Sequence, residues 1–566
     1  MSRVLVGLVA AVLTSSQASP QQAQTSTFQA APVAPGIPPG PPRDNITKPG
    51  TATIRGHVVA ADTGQPLRKA QVSAFSAELR ESRAATTDAR GQYELKELPA
   101  GRYSLSASKG SYVALQYGQT RPFEAGRPLE ILDAQTVEKV DFSLPRGGII
   151  TGRILDEFGE PAIDVQVMPM RFRNAGGQRQ LGPTGRMSTT NDIGEFRLFA
   201  LSPGEYYISA TLRNSAAGIN TTDDRSGYAP TYYPGTANVG EGQRVTIGLG
   251  ETVYEIVFPL LPIRTARISG TALDSEGRPI IGFVSAMQRT AGMFTMGGGG
   301  FQTKPDGSFT IGGLAPGDYT LTAQMPQVSG ESATLDVSVN GDDITGVRLV
   351  GVKPVAAAGR IILEGSARQS VQPSTLRVSS FPAPVNGVFR SFGQLPSPAI
   401  VNDDFTFEAK ARPGRMRMTV TTPPGWTIKA VRLHGTDVTD EGIEFKQNED
   451  VGDIEIELTN RVTAVTGFVT NSHGEPSKDY SLIVFAQDRA RWTGGSRYIR
   501  TGRPDQDGRF KVGLPAGKYY AIAVDYVDPG EATDPELLDR VRSKATAFSL
   551  GDGETKTVDL KLSSAL

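Results

Sequence analysis

The chain of 566 residues contains no cysteine, three histidines and two tryptophans, and each shortage removes a class of chemistry. Without cysteine nothing is stapled by a disulfide, held on a thiolate-bound metal or attacked by a thiol nucleophile, so every core must stand on apolar packing. The histidines, His57, His434 and His473, each lack the His-x-x-Glu neighbour with which a zinc carboxypeptidase holds its metal. His57 reads as a strand-edge residue and His473 as a solvated turn residue. Net charge is also scarce, with 58 Lys plus Arg against 59 Asp plus Glu. No global field therefore draws the protein to nucleic acid or an anionic membrane. Beyond the first residues no apolar run approaches the roughly 18 to 20 residues needed to span a bilayer. A Gly-x-Ser-x-Gly elbow and a phosphate-cradling Gly-Lys-Ser/Thr loop are missing, and Gly297 to Gly300 runs into Phe301, which reads as a flexible loop.

What is plentiful is turn chemistry. With 64 glycines, 39 prolines and a hydrophobic fraction of 38%, the composition points to turn-rich β structure in several domains of about 100 residues, with little helix. At the start, Arg3 precedes the apolar run Val4 to Leu13, and Ser16 and Ala18 offer small residues at the minus three and minus one places of a cut. Residues 1–18 are thus expected to be a secretory signal, against the alternative of a short buried helix. Residues 19–50, with Pro32, Pro35, Pro38, Pro39, Pro41 and Pro42 close together, read as a disordered, extended spacer.

From residue 51 one pattern recurs. Leu98-Pro99-Ala100-Gly101-Arg102-Tyr103 returns as Leu201-Ser202-Pro203-Gly204-Glu205-Tyr206, Leu314-Ala315-Pro316-Gly317-Asp318-Tyr319, the degenerate Ala411-Arg412-Pro413-Gly414-Arg415-Met416, and Leu514-Pro515-Ala516-Gly517-Lys518-Tyr519. Proline presets one dihedral and glycine supplies another, so each copy reads as a tight turn; Gly101, Gly204, Gly317, Gly414 and Gly517 are taken as structural turn glycines. The alternation Tyr103, Leu105, Ala107 against Ser104 and Ser106 marks the next strand. Each copy is preceded by an opening glycine strand, such as Ile54-Arg55-Gly56, then a Gly-x-Pro turn and an Asp-x-x-Gly-x-Tyr or Asp-Gly-x-Phe turn. Each is followed by an alternating closing strand, Val137 to Leu144, Val253 to Leu260, Ile344 to Val350, Ile454 to Leu458 and Val558 to Leu562. Six or seven short strands per unit make a sandwich.

These motifs resemble the carboxypeptidase regulatory-like domains of the prealbumin-like and starch-binding-like β-sandwich group, to which the bacterial collagen-adhesin B-type domains are similar. The likeness is plain in four units and worn in the fourth, where Asp403-Asp404-Phe405 replaces the expected glycine and Gly425 to Ile443 is extra. The expected architecture is all-β: five tandem prealbumin-like (Ig-like) sandwiches at 51–145, 146–262, 263–352, 353–460 and 461–566. The resemblance implies an extracytoplasmic protein, periplasmic, cell-surface or secreted, whose domains do no chemistry themselves.

Candidate sites are few. Asp505-Gln506-Asp507-Gly508 has the look of a calcium loop, but with Gly508 in sixth place the first and twelfth residues would be Arg503 and Leu514, neither a ligand, so a hairpin turn is the better reading. The clear opening strands hold no lysine for the isopeptide cross-link of related adhesin domains. The remaining candidates are rings on which a sugar could stack: Tyr228, Tyr232 and Tyr233 in one loop, Trp426 and Trp492 singly. The expectation is thus a non-enzymatic envelope scaffold or adhesion module without cofactor or metal, its partners polysaccharide or other envelope proteins; the alternative is a carbohydrate-binding protein using those rings. Because closing and opening strands nearly abut, the units are expected to stack end to end as a semi-rigid rod, with the Tyr228 to Tyr233 loop wedged between the second and third.

Overall fold

The computed structural model describes residues 50–566, apart from 77–78, 80–81, 122, 176–177, 213–225, 291–292, 297–300, 325–330, 365–370, 384–395, 424, 494, 529 and 564–566. The expected signal, nearly all of the proline-rich spacer and the Gly297 to Gly300 loop lie outside the described residues. Residues 49–566 form one compact unit.

Strand dominates, as the turn-rich composition requires. Buried apolar residues gather into clusters that each draw on one of the five stretches: Ala52 to Leu144, Ile150 to Leu260, Ala266 to Leu349, Val355 to Leu458 and Val465 to Leu560. In the third stretch the two layers are Ser308–Leu314, Ala266–Leu273 and Ile344–Val350 on one side, and Met293–Met296, Phe283–Thr290, Gly317–Gln324 and Ser332–Val339 on the other. Alternate residues point into the space between them, so Tyr319, Leu321 and Ala323 are buried, all 1% exposed or less.

The Leu-Pro-x-Gly-x-Tyr motif turns out to be a corner between these layers. Its preceding strand, Gln92–Leu98, pairs with Ala52–Ala60 in one sheet, while the strand it opens, Gly101–Ser108, pairs with Gln71–Phe75 in the other. The tyrosine locks the corner. Buried Tyr103, Tyr206, Tyr319 and Tyr519 each donate their hydroxyl to the carbonyl four residues back, on Pro99, Ser202, Ala315 and Pro515, at 2.6 to 2.8 Å. The ring fills the core while its one polar atom is satisfied at the corner itself. In the fourth stretch Met416 fills the space alone and no hydroxyl is present.

The corner glycines are not all alike. Gly204, Gly317 and Gly414 have φ of 147°, 150° and 113°, a region that favours glycine. Gly101 and Gly517 are not among the positive-φ glycines, so the expectation that Gly517 adopts a dihedral only glycine tolerates is corrected. A Cβ there would instead lie 3.3 Å from the ring of Tyr519. Gly517→Val is still expected to cost about 1 to 3 kcal/mol through crowding of that ring, and denaturant melting of the isolated 461–566 segment checks it. If Gly517→Ala costs as much as valine, crowding by the branched side chain is not the cause.

The fifth stretch departs from the pattern. Its two layers join into one nine-stranded sheet through Leu560–Ser563, which pairs with both Ala464–Thr470 and Gly517–Val524. Ser481–Ala486 is buried on both faces because the helix Pro535–Arg542 covers its outer side. That helix starts at the Asp534 cap with proline in its first turn and lays Leu537, Leu538 and Val541 onto Ile483, Phe485 and Ile522. In the fourth stretch the extra segment supplies Thr427–Leu433, which pairs along Val451–Thr459 and covers an edge that is the end of the path in the second and third sheets.

End-to-end stacking is not what the structure has. Residues of the first stretch bond to residues of the fifth, among them Arg503 to Glu124 and Arg121 to the Asp525 carbonyl. The short connections that argued for a rod constrain neighbouring units only, and nothing in them forbids the chain from bending back.

Candidate functional site

The five candidate rings are brought to five different environments. In Ser226–Tyr228 the backbone pairs with Pro262–Arg264, so this part of the loop does sit against the connection from the second stretch to the third. The Tyr228 hydroxyl donates to the Glu157 carboxylate; burial first, and that carboxylate second, push the phenol up to about 12, so it stays protonated. Tyr232 turns inward onto Met170 and Leu181 and is 9% exposed. Tyr233 meets Phe258 edge-on at 5.8 Å. Trp426 packs on the fourth core. Trp492 is 4% exposed, donates its indole N–H to the Ala486 carbonyl at 2.7 Å and stands edge-on to Phe485. A stacking platform needs an open ring face, which Tyr232 and Trp492 do not have; those two are core residues, and this corrects their candidacy. Their types alone carried no signal of direction, since a ring in a loop can turn either way.

The motif residues with chemical potential are spent locally. The Asp505 carboxylate accepts the backbone N–H groups of Asp507 and Arg509, as Asp88 accepts those of Arg90 and Gln92, which accounts for the calcium-like spacing as an Asx turn. His57 is exposed, with its ring 3.3 Å from Asp141 and from the Gln92 amide. Among the described residues no group of three or more His, Asp or Glu side chains is placed to hold a metal ion.

What the sequence did not reveal is a charged junction where the first, second and fifth stretches meet. Glu124 and Arg503 pair there with side chains 2% and 3% exposed, across 379 positions of chain. The second Glu124 oxygen accepts the Thr120 N–H at 3.0 Å, the Thr120 hydroxyl at 3.1 Å and the Arg121 N–H at 3.2 Å. Arg503 also reaches Asp479 at 2.8 Å, and Arg127 lies 3.4 Å from the same carboxylate. Around this centre Arg102 donates to the Lys511 carbonyl, Arg121 donates to the Asp525 carbonyl and lies over the Tyr526 ring, and Gln506 exchanges two hydrogen bonds with the Glu130 backbone. From the second stretch, Arg171 lies 4.0 Å over Phe123. Arg503 stands beside the Asp-x-x-Gly turn, and no periodicity distinguishes it from any surface arginine.

Comparison with solved structures finds pilins and repeat units of a collagen-binding protein. A streptococcal ancillary pilin is 16% identical over 53% of this chain and 98% of its own, with a TM-score of 0.19. Two B repeat units of the collagen-binding protein of Staphylococcus aureus are 12% identical over 72% and 99%, at 0.12, and the major pilin subunit BcpA of Bacillus cereus is 11% identical over 53% and 99%, at 0.13. A search of the curated proteins finds no relative. Among family models, residues 53–144 match the carboxypeptidase regulatory-like domain, the family whose motifs those residues carry.

Proposed function

We propose that the chain is a non-enzymatic, exported scaffold or adhesion module built from five tandem sandwiches with the boundaries given above. The observation that carries this reading is the destination of its polar side chains: corner tyrosines bond their own turns, turn carboxylates bond their own amides, and the deeply buried Glu124–Arg503 pair joins distant stretches. Such groups hold a shape. They hold out nothing that attacks a substrate. The partner is then another envelope component that contacts a broad surface.

The test has two arms on purified residues 51–566. The expected result is no release of C-terminal amino acids from peptides with or without zinc, together with retention on isolated bacterial envelope and no enrichment on a glycan array. Zinc-dependent release would overturn the non-enzymatic reading, and selective glycan binding would replace the scaffold with a carbohydrate-binding protein. Mass spectrometry of the mature protein checks export separately: loss of about 18 residues is expected, and an intact Met1 would end that part of the proposal.

A further inference from the structure

We infer that the junction between the first and fifth stretches is a releasable clasp: the protein exchanges between a closed form and one in which residues 461–566 have left residues 51–145, with both cores intact.

Three observations carry this. First, the two halves of the buried pair each keep a partner when separated. Glu124 retains the Thr120 and Arg121 N–H groups and the Thr120 hydroxyl within its own loop, and Arg503 retains Asp479 within its own stretch. Opening therefore strands no charge in an apolar setting, which is what makes breaking an ordinary buried pair so costly. Second, the surrounding contacts are mostly ones water can replace: exposed arginines on the Lys511 and Asp525 carbonyls, one of them over the Tyr526 ring, the Gln506 amide on the Glu130 backbone, and Arg127 at 3.4 Å from an Asp479 carboxylate that Arg503 keeps after opening. The apolar clusters of the two stretches share no member, and polar junctions between separately cored bodies are the first to open. Third, the closed form is imperfectly satisfied: Arg127 Nε and Arg503 Nε are buried with no hydrogen-bond partner, and opening returns both to water. Release also parts Gly530 from the strand Val165–Ala175, where a Cβ on that glycine would lie 1.7 Å from the Asn174 carbonyl oxygen, so that contact is one of close backbone fit.

Amide hydrogen exchange on the full chain tests the clasp, because the Glu130 N–H is protected across the junction by the Gln506 side chain. Glu124→Gln, which keeps the side chain's shape and its loop contacts but removes the charge facing Arg503, is expected to speed exchange at residue 130 about tenfold or more, the size of one charge-assisted hydrogen bond. Exchange in Gly101–Ser108 and Gly517–Val524 should stay unchanged, and the maximum dimension in small-angle scattering should lengthen. Gln506→Ala, at a partly exposed side chain that no core needs, should lengthen the particle in the same sense but less. Unchanged scattering in both variants overturns the clasp. So does Glu124→Gln if it speeds exchange in the two core strands equally or prevents folding, since the stretches would then be one cooperative body.

Discussion

Gly152→Ala is expected to unfold the second stretch or cost it about 3 kcal/mol or more, the upper end for overpacking a rigid site. The reason is geometric. A Cβ on Gly152 would sit 1.9 Å from the Ile256 carbonyl oxygen and 2.6 Å from its carbon, both backbone atoms of the neighbouring parallel strand Thr252–Pro259. Neither strand can shift easily, since Gly148–Leu155 is also paired on its other side by Glu195–Leu201. The same collision recurs at each opening glycine: Gly56 on Val140, Gly270 on Val347, Gly359 on Ile454 and Gly467 on Val558, at 1.9 to 2.2 Å. In four of these the residue just before the offending carbonyl, Lys139, Glu255, Gly346 or Asp453, has left-handed φ between 56° and 72°, so a bulge aims that carbonyl at the glycine. Thermal melting of the 146–262 segment measures the effect. A variant within 1 kcal/mol of the wild type would mean that the two strands do not approach this closely.

Tyr319→Ala should cost the third stretch about 3 to 5 kcal/mol, the usual range for deleting a buried aromatic ring. Tyr319 is fully buried between the layers, and its hydroxyl reaches the Ala315 carbonyl at 2.8 Å. Tyr319→Phe separates the two contributions, because it keeps the ring and removes one hydrogen bond at a cost of about 1 kcal/mol. Denaturant titration of both variants should therefore place phenylalanine close to wild type and alanine far below it. Equal losses would show that the corner depends on the hydroxyl rather than on filling the core. Met416, which occupies this place in the fourth stretch, argues that ring volume is the larger part.

Much of the secondary structure was legible because its code is short-range. Alternation placed Gly317–Gln324 and Ile344–Val350 on strands, and proline with glycine marked the corners. The helix Pro535–Arg542, capped by Asp534, was not read from the sequence, because one short apolar face in a strand-rich chain has no meaning until the outer side of Ser481–Ala486 is there to receive it. The five aromatic candidates show the same limit, since whether Trp492 stacks on a ligand or on Phe485 depends on residues that arrive from elsewhere in the fold.

The β architecture and the turn positions rest on dihedral preference and side-chain period within a few residues, so they could be read from the chain alone, where the opening glycine shows only as a recurrence. Why that glycine is needed, that the proline-glycine turn changes sheets, and that Glu124 meets Arg503 become visible in the assembled fold. A bulged neighbouring carbonyl, a second layer and a partner 379 positions away are long-range contacts. Their energy comes from desolvating groups that the chain brings together only once its cores have formed, and no local pattern encodes which surface charges those will be.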